Sequence, residues 1–222
     1  MKVILFGATG MIGKGVLREC VIAPDVSAVL AVGRRTNGNG RIDKVGELAV
    51  GDISQLNGHS EAIRGYDACF FCAGVTAVGR SESEYSRITY DLTIAAAKAV
   101  LAANPDATFV YVSGQGTDST EQGRAMWARV KGRTENALLP MSKRTYMFRP
   151  GLIMPKHGIR SRTTWYNLFY TLTRPFAFLL ERYATGSVTT TERMGRAMLG
   201  VARRGYDKRV LETSDINLLA LS

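Results

Sequence analysis

The chain has 222 residues, of which 45% are hydrophobic, and its 29 Lys and Arg against 19 Asp and Glu give a net charge of +10. This length allows one α/β domain with a sizeable core, and no linker, low-complexity tract or internal repeat divides residues 1–222. The basic residues are scattered, with no interleaved aromatic stripe. Their pattern favours a solvated surface and anionic small ligands, so we expect no nucleic acid partner.

Targeting and redox signals are weak. Met1 and Lys2 lead into a short apolar run that is too short for a signal peptide, and no apolar stretch reaches membrane-spanning length, so we expect a cytoplasmic protein. The three cysteines are few and odd in number. Cys69 and Cys72 lie in a strand-like run that points them to opposite faces, which favours core packing over a metal or redox pair. We expect no metal site.

The first predicted elements are a strand, a glycine turn and a helix. The apolar residues 3–6 precede Gly7, Gly10 and Gly13, and a helix-like segment then runs to about Val21. Glycines allow a tight turn and a close approach to a ligand, while the free N–H groups of the helix start attract a pyrophosphate. We therefore predict a dinucleotide site. The spacing is not the commonest G-x-G-x-x-G, and a purely structural turn is the alternative.

Strands and helices then alternate. We predict strands at 28–32, 48–50, 67–73, 108–113, 145–149 and 209–213, and helices at 83–103, 123–139 and 191–203. Such alternation produces right-handed βαβ units and a parallel sheet covered on both faces. The predicted fold class is a doubly wound α/β domain of the Rossmann type.

Several short motifs follow one another in a family-specific order. They are the glycine turn, Gly51-Asp52-Ile53, Cys72-Ala73-Gly74, Ser113-Gly114, a helix with Lys131, and Arg149-Pro150-Gly151. Over nearly its whole length the chain resembles an extended or atypical short-chain dehydrogenase/reductase, in the epimerase-like, NAD(P)H-binding branch that includes the Tat-interacting protein. This resemblance implies a dinucleotide lying across the carboxyl ends of the strands. The cofactor contacts that it implies are Gly7, Thr9, Gly10, Met11, Ile12, Gly13, Asp52, Ile53, Ala73, Gly74, Lys131, Pro150 and Gly151.

The end of the second strand bears on the choice of cofactor. NAD-preferring sites usually place an acidic residue there, whereas this chain has Arg34 and Arg35. Two guanidinium groups suit a 2′-phosphate, so we predict NADP(H), with NAD(H) as the alternative. A second interpretation is that both arginines are merely exposed residues after a strand.

The catalytic residues implied by the resemblance are Ser113 and Lys131. In the family a serine of the fifth strand binds the substrate oxygen, and a lysine lowers the pKa of a tyrosine four residues earlier. Here that position is Trp127, whose indole cannot act as an acid or base near neutral pH. Either another group or water transfers the proton, or the protein binds NADP(H) without turnover. His157 is a candidate substitute, or else a surface-loop histidine.

Residues 152–190 are predicted to form a lid on the substrate side. Lys156, Arg160 and Arg162 favour an anionic substrate there. The apolar stripe within residues 164–180 is interpreted as part of the lid, with a dimer interface or peripheral membrane contact as alternatives.

The predicted function follows from these residues and from the resemblance. We expect an NADP(H)-dependent oxidoreductase or epimerase-like enzyme for a small carbonyl or hydroxyl compound, as a monomer or homodimer. The alternative is a non-catalytic NADP(H)-binding regulatory or redox-sensing protein that interacts with a protein partner.

Overall fold

The computed structural model describes residues 1–35, 42–159 and 186–221. The strands are β1 (Lys2–Phe6), β2 (Ala28–Gly33), β3 (Val45–Ala49), β4 (Ala68–Phe71), β5 (Thr108–Val112), β6 (Thr145–Arg149), β7 (Leu152–Met154), β8 (Val188–Thr190) and β9 (Val210–Glu212). The helices are α1 (Met11–Ile22), α2 (Glu82–Ser86), α3 (Leu92–Ala103), α4 (Met126–Leu138), α5 (Thr191–Arg204) and α6 (Thr213–Leu219). A 3₁₀ helix spans Ile53–His59, and a π-helical turn spans Arg87–Asp91.

The central sheet has seven parallel strands in the order β3-β2-β1-β4-β5-β6-β9. Val3 and Leu5 of β1 face a core shared with α1, α5 and α6, while Ile4 and Phe6 face a second core shared with α3 and α4. The strand order matches the Rossmann arrangement, with one further strand at the far edge. The predicted fold class is therefore confirmed.

Element boundaries differ from the predictions in places where apolar patterning is weak. β3 begins at Val45 rather than 48, because an edge strand can carry the exposed Gly46 and Glu47. α4 begins at Met126 rather than 123, since the Gly123 N–H donates to the Asp118 carboxylate at 2.6 Å. The helix predicted at 83–103 contains the π-helical turn between α2 and α3.

The short parallel pair of β7 and β8 was not predicted. Leu152 pairs with Val188 and Met154 with Thr190, so the pair joins the two ends of the predicted lid region. Residues 160–185, including Arg160, Arg162 and the apolar stripe at 164–180, lie outside the described residues. The interpretation of 152–190 as a lid, and of residues 1–222 as one nucleotide-binding domain, stays a prediction.

The cysteines take the positions expected of core residues. Cys69 packs in the core on the α3 side, and Cys72 packs against the opposite core. Burial raises the pKa of both thiols. In the described ranges, no three His, Cys, Asp or Glu side chains are grouped as metal ligands. Within these same ranges, every helix is too short or too polar to cross a membrane.

Candidate functional site

The turn between β1 and α1 is built on close backbone contacts. Gly7 has a φ of +79°, and a β-carbon added to it would lie 2.7 Å from the Ala73 nitrogen. A β-carbon on Gly13 would lie 2.0 Å from the Gly7 carbonyl oxygen. These two glycines therefore allow α1 and the end of β4 to pack directly on the turn.

Gly10 has a different environment from the other two glycines. Its N–H donates to the Gly7 carbonyl at 2.9 Å, and it is the residue that caps the start of α1. A β-carbon there would meet only the Gly7 oxygen, at 3.3 Å. No side chain caps α1, and its first turn carries no acidic residue, so the positive end of the helix dipole is left open for an anion. Thr9, Met11 and Ile12 lie half-buried around this helix start.

The other predicted cofactor residues follow the carboxyl ends of neighbouring strands. Because the strands are parallel, these ends meet at one edge of the sheet. Half-buried Ala73 and exposed Gly74 follow β4, and exposed Arg34 and Arg35 follow β2.

Two further pairs of predicted residues have defined backbone contacts. Asp52 accepts from the Ser54 N–H at 2.9 Å, which lowers the pKa of its carboxyl, and half-buried Ile53 begins the 3₁₀ helix. After β6, the Pro150 carbonyl accepts from the Gln115 N–H at 2.9 Å. The Gly151 N–H donates to Thr213 Oγ1 at 2.9 Å. A β-carbon on Gly151 would lie 2.4 Å from the Ser187 carbonyl oxygen, so the chain turns there in close contact with the residue before β8.

Lys131 lies on α4 at the same edge of the sheet. Its Nζ donates to the carbonyl of Ser113 and lies 6.0 Å from the centroid of the Trp127 ring. Burial lowers the pKa of Lys131 to about 8, and the Glu135 carboxylate partly opposes this shift. The Trp127 ring in turn lies 3.3 Å from the position of a β-carbon on Gly116. The structure thus brings Trp127, Lys131 and Ser113 together.

The Ser113 hydroxyl is directed into the protein. The residue is 2% exposed, and its Oγ donates to Glu135 Oε1 at 2.5 Å, with the Phe148 carbonyl at 3.2 Å as a second acceptor. The resemblance implies that this hydroxyl binds the substrate oxygen. In the structure its single proton is already taken by an internal acceptor.

Glu135 contacts the candidate site residue Ser113, and sequence reasoning missed it. It is 1% exposed and accepts from Arg149 through Nε, at 3.0 Å, and through Nη2. Arg149 also donates to Ser119 Oγ at 2.6 Å and pairs with Glu212 at 3.5 Å. The signal for Glu135 was its position one turn after Lys131, on the buried side of α4 with Ala128 and Leu138.

His157 lies apart from Lys131. Its Nε2 is 2.9 Å from Glu192 Oε2, in the first turn of α5. That contact lowers the pKa of Glu192. Because α5 packs on the face of the sheet opposite α4, the structure does not unite His157 with the pair of Trp127 and Lys131.

The geometry agrees with a family match. The model of the NAD dependent epimerase/dehydratase family matches residues 3–134, which is more than half of the chain. The chain belongs to this family. The match contains the glycine turn, Ser113, Trp127 and Lys131, and it supports a nicotinamide cofactor.

Two relatives confirm the atypical, epimerase-like branch that the resemblance predicted. Protein HTATIP2 of Rattus norvegicus is 26% identical over 202 residues, which cover 89% of this chain and 79% of that protein. Protein fmp52, mitochondrial, of Emericella nidulans is 28% identical over 159 residues, covering 68% of this chain and 66% of that protein. HTATIP2 is the Tat-interacting protein of the predicted resemblance. The cytoplasmic location stays a prediction, since fmp52 is named as mitochondrial.

Among solved structures, the fold is similar to that of DesIV, the dTDP-glucose 4,6-dehydratase of Streptomyces venezuelae, which was solved with NAD and TYD bound. The TM-score is 0.67 at 13% identity, and the superposition covers 100% of this chain and 80% of DesIV. At this identity the likeness concerns the fold alone.

Proposed function

We propose that the chain is an NADP(H)-dependent oxidoreductase or epimerase-like enzyme for a small carbonyl or hydroxyl compound. The observation that carries the proposal is the placement of the uncapped glycine turn and of Lys131 at one edge of a Rossmann sheet. Membership of the NAD dependent epimerase/dehydratase family supports the same chemistry.

The residues present suit a dinucleotide. The glycine turn would hold the pyrophosphate through the backbone at the start of α1, because Gly10 leaves that helix end open. Asp52 and Ile53, with Ala73 and Gly74, would lie along the adenosine. Pro150, Gly151 and Lys131 would line the nicotinamide end. When bound, the nicotinamide supplies or accepts a hydride.

A preference for the phosphorylated cofactor is part of the proposal. Arg34 and Arg35 are exposed directly after β2, where a 2′-phosphate could accept charge-assisted hydrogen bonds. Replacing both by Ala should weaken NADPH binding at least roughly tenfold, because each such contact contributes about 1.5–3 kcal/mol, and should spare NADH. Equal losses for both cofactors would assign these arginines another role.

The proposal also includes a substrate that carries a negative charge. Lys156 is half-buried after β7, while Arg160 and Arg162 lie outside the described residues. Carbonyl compounds with and without a carboxylate or phosphate group, compared at equal concentration, test whether charge improves turnover.

The deciding experiment separates binding from folding. Calorimetric titration of the wild type with NADPH and NADH should show binding below millimolar concentration. Gly10→Leu should abolish it, because the side chain would occupy the open helix start. Gly58→Leu is the control, since a β-carbon there meets nothing within 4 Å and Gly58 lies in the 3₁₀ helix.

Two outcomes would contradict the proposal. Absence of binding for both cofactors overturns the nucleotide site. Binding without any NADPH oxidation over a panel of aldehydes and ketones overturns the enzymatic part, and leaves a cofactor-dependent binding protein. Circular dichroism of each variant shows whether the fold is intact.

A further inference from the structure

Proton transfer at this site needs a donor that the family pattern does not supply here. Trp127 occupies the position of the usual tyrosine, and its indole does not titrate near neutral pH. Tyr111 of β5 and Tyr85 of α2 are both buried, and burial raises the pKa of both phenols. Tyr90 lies under the Arg133 guanidinium at 4.6 Å. The buried phenols of Tyr111 and Tyr85 are therefore poor substitutes.

Ser113 is also unsuited to donate to a substrate. A serine hydroxyl has one proton, and here it points to Glu135 or to the Phe148 carbonyl. Glu135 is itself fixed by two hydrogen bonds from Arg149, so the acceptor cannot easily turn away. The hydroxyl can still accept a hydrogen bond, but its proton stays inside the protein.

Lys131 has the geometry that Ser113 lacks. One of its three N–H groups donates to the Ser113 carbonyl, which fixes the ammonium beside the end of β5. The next residue is Gly114, where an added β-carbon would lie 3.7 Å from Nζ. The missing side chain leaves that approach to the ammonium open, and the Trp127 ring flanks it.

The charges around Lys131 come from several elements. On α4 the Glu135 carboxylate favours the ammonium form, and Arg149 of β6 neutralises that carboxylate in turn. Arg149 also pairs with Glu212 at the end of β9. The phenol of Tyr111 on β5 interacts electrostatically with Glu135 and with Tyr85 of α2. Burial lowers the pKa of Lys131 more than the Glu135 carboxylate raises it. With a pKa of about 8, the ammonium can release a proton more easily than an exposed lysine can.

We propose that Lys131 itself is the proton donor to the substrate oxygen, and that Glu135 is a positioning residue that keeps the Ser113 hydroxyl turned away from the cleft. This rests on the proposed function. In the reducing direction the carbonyl carbon would take a hydride supplied by bound NADPH, and the C=O π electrons would pass to the oxygen. The oxygen takes a proton from the Lys131 ammonium, giving an alcohol, the oxidised cofactor and a neutral amine. Water then returns the proton to the amine.

The first test needs no activity. Competitive acetylation of the wild-type protein between pH 6 and pH 11, read by mass spectrometry, gives the titration of each lysine, with exposed Lys98 of α3 as the reference. Lys131 should reach half-titration near pH 8. Bound NADPH should slow its acetylation. A Lys131 that stays protonated up to pH 10 would overturn the proposal.

The second test compares variants that keep or remove the titrating group. Lys131→Arg keeps the charge but holds its proton at all working pH values, so turnover should fall at least about 100-fold while NADPH affinity changes only a few-fold. Ser113→Ala should lower turnover by less than roughly tenfold, because its proton is not the one transferred. Full activity of Lys131→Arg, or loss of turnover in Ser113→Ala as large as that in Lys131→Arg, would overturn the proposal.

The third test concerns Glu135. Reductase turnover of the wild type should fall as the pH rises through about 8, since the donor must be protonated. Glu135→Gln removes the field that favours the ammonium, so the fall should move to lower pH with little change in NADPH affinity. An unmoved profile in a folded Glu135→Gln protein contradicts the effect of the Glu135 charge on the Lys131 proton donor, and with it the proposal. Failure of the wild type to bind either cofactor would instead refute the proposed function.

Discussion

Glu135 and Arg149 form a buried ion pair between α4 and β6. Glu135 is 1% exposed and Arg149 13%, and three donors share the two carboxylate oxygens. Such a pair contributes little compared with apolar packing, but removal of Glu135 leaves the Arg149 charge with only its longer pair to Glu212. The pair therefore constrains both the fold and the orientation of Ser113.

Glu135→Ala should lower the free energy of unfolding by about 3–5 kcal/mol, because the Arg149 guanidinium would lose its buried carboxylate and keep only the longer pair with the more exposed Glu212. Urea denaturation measures this. The control is Glu61→Ala, which breaks the exposed pair with Arg64 and should cost at most about 1 kcal/mol. Equal losses of stability for the two substitutions would contradict the larger contribution expected of the buried pair.

At the scale of elements, α1 and α5 cross at van der Waals distance. A β-carbon on Gly15 would lie 2.6 Å from the Thr191 carbonyl oxygen, and one on Gly195 would lie 2.7 Å from Glu19 Cγ and 3.2 Å from Val16 Cα. Small residues on both helices permit this approach. The crossing fixes the helix that follows the glycine turn, so it also supports the candidate cofactor site.

Gly195→Ala should destabilise the protein by about 1–3 kcal/mol, because the added methyl overpacks the contact with α1. Gly200→Ala on the same helix is the matched control, since its nearest neighbours lie at 3.5–3.6 Å. There the gain in helix propensity should stabilise by about 0.5–1 kcal/mol. Thermal unfolding shows whether each substitution lowers or raises the melting temperature. Stabilisation by Gly195→Ala would show that α5 shifts freely.

The glycine turn offers a second comparison at this scale. Gly13→Ala should destabilise strongly, because its β-carbon would lie 2.0 Å from the Gly7 oxygen, a backbone atom. In Gly10→Ala the added β-carbon would lie 3.3 Å from the same oxygen, so this variant should stay folded. Far-ultraviolet circular dichroism with heating checks this. Equal melting temperatures for the two variants would contradict the packing described for the turn.

Over the whole molecule, ion pairs connect segments that are distant in sequence. Asp25, before β2, pairs with Arg203 near the end of α5 at 2.6 Å, and His157 pairs with Glu192. The hydrogen bond from Arg203 lowers the pKa of Asp25, and the contact with His157 lowers that of Glu192. Both carboxyl groups therefore bind protons less readily in the folded protein.

Stability should decrease as the pH falls below about 4. A carboxyl whose pKa is lowered by folding stabilises the native state above its unfolded value, 3.8 for Asp, and loses this contribution as the pH falls through the folded value. Urea midpoints at pH 7, 5, 4 and 3 measure the decrease. Asp25→Asn should make this loss of stability smaller. Asp106→Asn, at an exposed position, serves as the control. An unchanged slope for Asp25→Asn would exclude this ion pair as a source.

The sequence by itself determined the features that depend on neighbouring residues. Alternating apolar runs and helical segments specified the parallel Rossmann sheet, and residues 145–149 were predicted with the bounds of β6. The glycines after β1 indicated the close turn, because Gly7 needs a positive φ and Gly13 has no room for a side chain. The order of motifs indicated the family. The cofactor preference and the roles of the site residues remain predictions.

Tertiary structure decided the contacts that join distant parts of the chain. The Ser113 hydroxyl turns towards Glu135, 22 residues away, and Arg149 lies across the sheet edge from α4. Neither direction can be read from a motif, because side-chain orientation depends on which acceptors the packed elements bring within hydrogen-bond distance. β7 and β8 likewise pair only because the fold brings residues 152 and 188 together. The sequence thus predicted a serine and a lysine for the site, and packing decided that the serine hydroxyl donates to Glu135 inside the protein.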